Sequence, residues 1–129
     1  MESGTWFFVV ITEPDITYQL MMVLGRSTWL RIGALGRFRF PAGRYIYTGS
    51  ARRAMEARIR RHLSVRKTRH WHIDYLLAHP AVQIDQVKRS RMAECRKNQL
   101  TTGEIVVPGF GASDCRRGCG SHLKYLGPL

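Results

Sequence analysis

The sequence is short of acidic residues and of cysteine, and each shortage excludes a class of protein. Only 9 Asp and Glu stand against 21 Lys and Arg in 129 residues, so the formal net charge is +12. Such an excess is typical of proteins that bind a polyanion, nucleic acid first and an anionic membrane surface second. Three cysteines cannot all pair within one chain, which argues against a disulfide scaffold and for a reducing compartment.

Long apolar runs are also missing. The run at residues 6–11 has six residues, too few for the apolar region of a signal peptide and far too few to span a bilayer. No internal repeat, low-complexity tract or linker interrupts the chain, and 44% of its residues are hydrophobic. We therefore expect residues 1–129 to form one cytoplasmic domain that does not enter a membrane, with a monomer favoured.

Hydrophobic periodicity predicts strands first, then helices, then mixed elements, which indicates an α+β domain. The chain from residue 108 onward is rich in Gly and Cys and is expected to be mostly irregular. The predicted strands are residues 6–11, 17–24, 29–32, 37–40, 44–48 and 82–87, and the predicted helices start at residue 51 and cover 72–79 and 92–100.

The helix that starts at residue 51 is strongly basic. Met55, Ile59 and Leu63 are spaced to form a buried stripe, while residues 52–72 contain eight Lys or Arg and one acid, giving +7 of the total +12. The charge has one sign, so salt bridges along the helix do not explain it, and Trp71 offers a ring that can stack on bases. The predicted nucleic-acid-binding residues are Arg52, Arg53, Arg60, Arg61, Arg66, Lys67, Arg69 and Trp71.

Arg58 and His62 lie four residues apart on the flank of the same stripe, where core meets solvent. This is where a functional pair that must be both oriented and accessible belongs. The alternative is that Arg58 only extends its stem along the surface and His62 bonds a backbone carbonyl.

Four ordered segments resemble the GIY-YIG nuclease superfamily, in which a strand ending in Tyr-x-Gly leads into a helix carrying Arg-x-x-x-His. Those positions are Tyr47-Thr48-Gly49, Arg58 and His62. The likeness extends to an uncharacterised archaeal and bacterial branch that is sometimes fused to an endonuclease III-like repair enzyme. The superfamily resemblance lies in residues 43–51 and 58–62, and the likeness to this branch lies in residues 61–63, 70–76 and 109–115 with 121–123.

The resemblance implies a small, mostly antiparallel sheet flanked by helices, with residues 6–11 and 44–48 as neighbouring strands. It implies an endonuclease whose expected substrate is DNA rather than RNA, with a role in DNA repair. Glu94 would be the ligand of Mg²⁺ or Mn²⁺, and Arg58 would bind the scissile phosphate. Tyr47 would orient or deprotonate the water, with His62 assisting the proton. Glu94 is also explained as an exposed acid at a helix start.

One position departs from the superfamily, whose first motif ends in a tyrosine on the first strand. The matching segment here ends in Trp6, and indole has no ionisable hydroxyl. Tyr45 or Tyr18 would have to take that place in space. Without such a replacement, the chain would be a non-catalytic nucleic-acid-binding module with the nuclease fold.

The remaining cysteine and histidine patterns favour a structural role. Cys115, Cys119 and His122 give C-x3-C-x2-H, which lacks an evident fourth ligand, so we expect no bound zinc. Cys95, His70 or His72 would complete the set only through space. Asp74, two residues beyond His72, is expected to bond the backbone or a basic neighbour, and His72 to support the site indirectly.

Overall fold

The computed structural model of the chain describes residues 14–65, 68–112 and 115–129. They form an α+β fold, which confirms the predicted class. The strands are β1 (Thr17–Leu24), β2 (Thr28–Arg31), β3 (Arg37–Phe40), β4 (Gly43–Ser50), β5 (Val82–Ser90) and β6 (Leu123–Gly127). The helices are α1 (Met55–Leu63), α2 (His72–Leu77) and α3 (Glu94–Leu100).

The main sheet is antiparallel with the order β5-β1-β4-β6, and β2 and β3 form a separate hairpin. Both edges of β4 are therefore occupied, by β1 and by β6. The predicted strand at residues 6–11 lies outside the described residues. Its predicted pairing with residues 44–48 falls there too; among the described residues, β4 pairs with β1 and β6.

The register of β1 and β4 explains the glycine of the Tyr-x-Gly motif. Tyr18 lies opposite Gly49, and Leu20 lies opposite Tyr47, so these side chains share the core face of the sheet. A Cβ atom on Gly49 would come within 2.6 Å of the Tyr18 ring. Glycine at this position thus allows the Tyr18 phenol to lie across β4, beside Tyr47.

The described part of the chain from residue 108 onward is mostly irregular, as predicted, except for strand β6, which the sequence analysis did not predict. It pairs with β4, and Leu123 and Lys124 at its start are buried. The segment reads Leu-Lys-Tyr-Leu-Gly, too short and too mixed to stand out by periodicity alone. It forms a strand because its backbone pairs with the edge of β4 that lies opposite β1.

The buried face of α1 differs from the predicted stripe. Ile59 is buried, but Leu63 is 53% exposed, and His62 takes the interior position at 2% exposure. The reason is a polar partner: the Tyr18 hydroxyl lies inside the core and bonds the His62 ring. The helix also begins at Met55 rather than at residue 51.

In the part of the chain that the structure describes, no helix combines the length and the apolar character that crossing a lipid bilayer requires.

Candidate functional site

A cleft of about 800 Å³ opens where the ends of β1 and β4 meet α1, the start of α3 and the loop that precedes β6. Three of the four predicted catalytic residues, Tyr47, Arg58 and Glu94, line it. The fourth, His62, lies behind the wall and touches the cleft through Tyr18. The structure thus brings together residues that are separated by 47 positions in the sequence.

Tyr18, one of the two tyrosines considered as replacements for Trp6, lines the cleft. Its hydroxyl lies 2.6 Å from Nε2 of His62, and its ring lies 6.3 Å from the ring of Tyr47. Burial raises the pKa of Tyr18 and of Tyr47 well above the ordinary value for a phenol, so both are neutral at physiological pH. Tyr45, the other candidate, lies outside this cleft and donates to the carbonyl of Pro41.

Arg58 is held at the edge of the cleft by two contacts. One guanidinium nitrogen, Nη1, donates to the carbonyl of Ser50 at 2.7 Å, and the group lies 4.8 Å from the centre of the Trp71 ring. A guanidinium has five N–H donors, so most of its donors remain available to a phosphate. Trp71, predicted only to stack on bases, therefore also supports Arg58.

Asp74 is a buried structural carboxylate, as predicted. Both oxygens accept from Arg61, at 2.8 and 2.9 Å, and Oδ2 also accepts from the backbone N–H groups of His70 and Trp71. The arrangement ties α1 to the start of α2. It also commits Arg61 to a fixed internal pair, although the sequence placed Arg61 on the nucleic-acid-binding surface.

Glu94 stands at the start of α3 and contacts His122, which lies just before β6. The carboxylate Oε2 is 3.1 Å from Nδ1 of His122, a nitrogen that also lies 3.2 Å from the carbonyl of Thr48. Burial lowers the pKa of His122, but the bond to Glu94 and the nearby thiols outweigh burial and raise it to about 9. Only Oε2 of Glu94 bonds a described residue, so Oε1 can ligate a hard cation such as Mg²⁺.

His72 supports the opposite wall. Its Nδ1 accepts from the backbone N–H of Gly111 at 2.8 Å, which fixes the imidazole and holds that loop. Burial lowers the pKa of His72, so the ring is neutral and carries its proton on Nε2. This agrees with an indirect role in the site.

The basic surface extends around the cleft. Arg52, Arg53, Arg60 and Arg69 are exposed, whereas Arg66 and Lys67 lie outside the described residues. Arg116 and Arg117, which the sequence analysis did not single out, line the cleft itself. Their signal was a basic pair between two cysteines, separated in sequence from the basic helix.

The three cysteines cluster with His122 at the end of the cleft. One ligand atom from each of Cys95, Cys115, Cys119 and His122 lies within 4.8 Å of the others. The neighbouring His122 imidazole lowers the pKa of Cys115 to about 6, whereas burial raises the pKa of Cys95 to about 12. Cys95 is thus the fourth member that the C-x3-C-x2-H spacing alone does not reveal.

Comparison with known proteins gives a family but no activity. A family described as "Domain of unknown function DUF123" matches residues 17–128 of the chain. No curated protein and no solved structure matches it.

Proposed function

We propose that this chain, which belongs to the family of unknown function DUF123, is a divalent-metal-dependent nuclease that hydrolyses phosphodiester bonds in nucleic acid. The observation that carries the proposal is the convergence of Tyr47, Arg58, Glu94 and the Tyr18–His62 pair at one cleft of a chain with a net charge of +12. The sequence resemblance to the GIY-YIG superfamily supports the same reaction. We favour DNA as the substrate. We propose that the protein acts on it as a monomer in the cytoplasm, during DNA repair.

Arg58 would bind the phosphate that is cut. Its planar guanidinium is already fixed by Ser50 and Trp71, so little side-chain entropy is lost when a phosphate binds. Charge builds up on the phosphate oxygens as water attacks. A pre-oriented donor at this position stabilises that charge more than it stabilises the resting phosphate.

Glu94 would hold the divalent ion, Mg²⁺ or Mn²⁺. A bound ion of this kind polarises a phosphate oxygen and stabilises the developing charge. The contact with His122 fixes the carboxylate through Oε2, and Oε1 would bind the ion. A single protein carboxylate is enough when the substrate phosphate and waters supply the remaining ligands.

The Tyr18–His62 pair would move the proton of the attacking water. As the Tyr18 oxygen takes a proton from water, its own proton passes to Nε2 of His62 across 2.6 Å. This relay needs no tyrosinate, which is consistent with the raised pKa of the phenol. Tyr47, also neutral, would orient the water through its hydroxyl rather than deprotonate it.

Binding should depend steeply on salt, because phosphate contacts by the exposed arginines would supply most of the affinity. We expect the logarithm of the association constant to fall with the logarithm of salt concentration by about 0.9 for each duplex phosphate neutralised. Replacing Arg60 and Arg69 with glutamate should weaken binding to all sequences alike, and fluorescence anisotropy measures both effects. Replacing the exposed Gln83 with glutamate provides a charge control away from this surface. A salt-independent affinity would contradict the phosphate surface.

The cleavage assay tests the reaction itself. Purified protein is incubated with supercoiled, branched and single-stranded DNA, with Mg²⁺, Mn²⁺ or EDTA. We expect the wild type to cut DNA only with a divalent ion. We expect Glu94→Gln to bind DNA as the wild type does, but its cleavage rate should not rise when the ion is added. Equal cutting by both proteins would place the activity elsewhere. Binding without cutting under any condition would instead favour the non-catalytic module.

A further inference from the structure

The cluster of Cys95, Cys115, Cys119 and His122 has the composition and size of a metal site. Its four ligand atoms lie within 4.8 Å of one another, and Sγ of Cys95 is 3.5 Å from Sγ of Cys115. Sulfur ligands about 2.3 Å from one tetrahedral zinc ion stand ~3.8 Å apart. The side chains are therefore within a small adjustment of tetrahedral coordination.

A buried nitrogen at the cluster points to a ligand. His122 is 1% exposed, and its Nδ1 is taken up by Glu94 and by the carbonyl of Thr48. The other nitrogen, Nε2, is buried and makes no hydrogen bond to any residue that the structure describes. A buried imidazole nitrogen without a partner is costly, and a metal ion held with the three sulfurs would satisfy it.

We infer that Cys95, Cys115, Cys119 and Nε2 of His122 form a structural zinc site, with Glu94 orienting the histidine from behind. Sets of three thiolates and one imidazole are closed, tetrahedral zinc sites in proteins. Histidine ligands of zinc commonly donate their second N–H to a carboxylate, and Glu94 is placed for this. Soft sulfur ligands favour zinc over Mg²⁺, so the site is chemically distinct from the ion proposed at Oε1 of Glu94.

The chain around the cluster is shaped for this coordination. Cys95 lies in the first turn of α3, and the other ligands lie on a short loop that leads into β6. Gly118 and Gly120 adopt φ values of 70° and 78°, a left-handed conformation that side chains rarely tolerate. These turns let Cys119 and His122 face the same point as Cys115. Zinc would join α3 to the loop and so fix the wall of the cleft that carries Glu94.

Metal content of the full chain tests the inference without any nucleic acid, so its failure would leave the proposed nuclease function untouched. The protein is purified without chelator, and its metals are measured by mass spectrometry. We expect one zinc ion per chain. Cys119→Ser and Cys95→Ser each remove a direct ligand. Each should lower zinc affinity by more than ~100-fold, the largest loss that is usual when a residue supporting a ligand is removed. Glu94→Gln should lower it by about 10–100-fold. His70→Ala, an exposed histidine outside the cluster, should keep full zinc content.

A second measurement covers variants that fail to fold. Wild-type protein loaded with Co²⁺ in place of zinc should show the visible absorption of tetrahedral cobalt bound to thiolates. A mercurial reagent should react with the three thiols of this protein only as the bound metal is released. Folded wild-type protein that contains no zinc and gives no cobalt spectrum would overturn the inference. So would a stoichiometric metal other than zinc, or a disulfide between Cys95 and Cys115 in protein prepared under reducing conditions.

Discussion

Replacing Arg58 with alanine is expected to lower the rate of DNA cleavage by about 10²–10³-fold, the usual loss when one pre-oriented donor to a transition-state charge is removed. The fold should persist, because Ser50, whose carbonyl Arg58 contacts, is only half-buried, so water can replace the guanidinium. DNA binding should change little, since the exposed arginines on the same surface remain. Single-turnover cleavage with saturating protein measures the effect on the chemical step apart from binding.

Two variants make this comparison specific. Arg60→Ala removes an exposed arginine two residues away on the same helix, and we expect it to affect binding slightly and the cleavage step not at all. Arg58→Lys keeps the charge but loses the planar fork, so it should recover only part of the rate. If Arg58→Ala cuts as fast as Arg60→Ala, the phosphate is not bound at this cleft.

Patterns within short stretches of sequence were enough to predict most of the helices and strands and to place Tyr47 and Arg58 near each other. The strand 17–24 and the short strands at residues 29–32 and 37–40 follow from turn residues and alternating apolar residues, and β4 follows likewise. The resemblance to the GIY-YIG superfamily singled out Tyr47, and the flank of the apolar stripe on its helix singled out Arg58. The two residues are positioned by a strand, a tight glycine and a helix that are close in sequence. Their spacing therefore largely determines their geometry.

Contacts between distant segments were not predictable in this way. The resemblance placed the first-motif position at Trp6, which lies outside the described residues. Within them, Tyr18 reaches Tyr47 because β1 pairs with β4. Cys95 is 20 residues from Cys115 and on another element, so no spacing rule connects them. Only the docking of α3 beside the loop before β6 brings Cys95 into the cluster.

The face of α1 shows how a polar contact can override hydrophobic periodicity. Leu63 fits the apolar spacing after Met55 and Ile59, but the helix turns His62 inward instead. The hydrogen bond to the Tyr18 hydroxyl offsets the burial of the imidazole, and that partner is 44 residues away. A sequence pattern within one helix carries no information about such a partner.

Replacing Asp74 with alanine is expected to destabilise the protein by about 3–5 kcal/mol, the usual cost of removing one partner of a buried ion pair. The Asp74 side chain is fully buried. Its loss would remove the paired charge of Arg61, which would keep its bond to the carbonyl of Thr68. It would also leave the backbone N–H groups of His70 and Trp71 without their acceptor. Because Arg61 packs on the ring of Trp71, which lines the cleft and contacts Arg58, the variant should also lose cleavage activity. Chemical denaturation followed by circular dichroism measures the change in the free energy of unfolding.

An exposed pair and a pH series complete the Asp74 experiment. Asp85→Ala breaks an exposed ion pair with Arg44 and should cost less than about 1 kcal/mol.

Burial alone would raise the pKa of Asp74, but Arg61 and the two backbone donors outweigh burial and hold it below its ordinary value. A lowered pKa in the folded state means that the carboxylate stabilises the fold above about pH 4, the pKa of an unfolded aspartate, and loses this contribution as the pH falls through the folded value. The stability gap between wild type and Asp74→Ala should therefore be constant near neutral pH and shrink in acid. A gap of less than 1 kcal/mol at pH 7, similar to that of Asp85→Ala, would show that the Arg61–Asp74 pair does not hold α1 to α2.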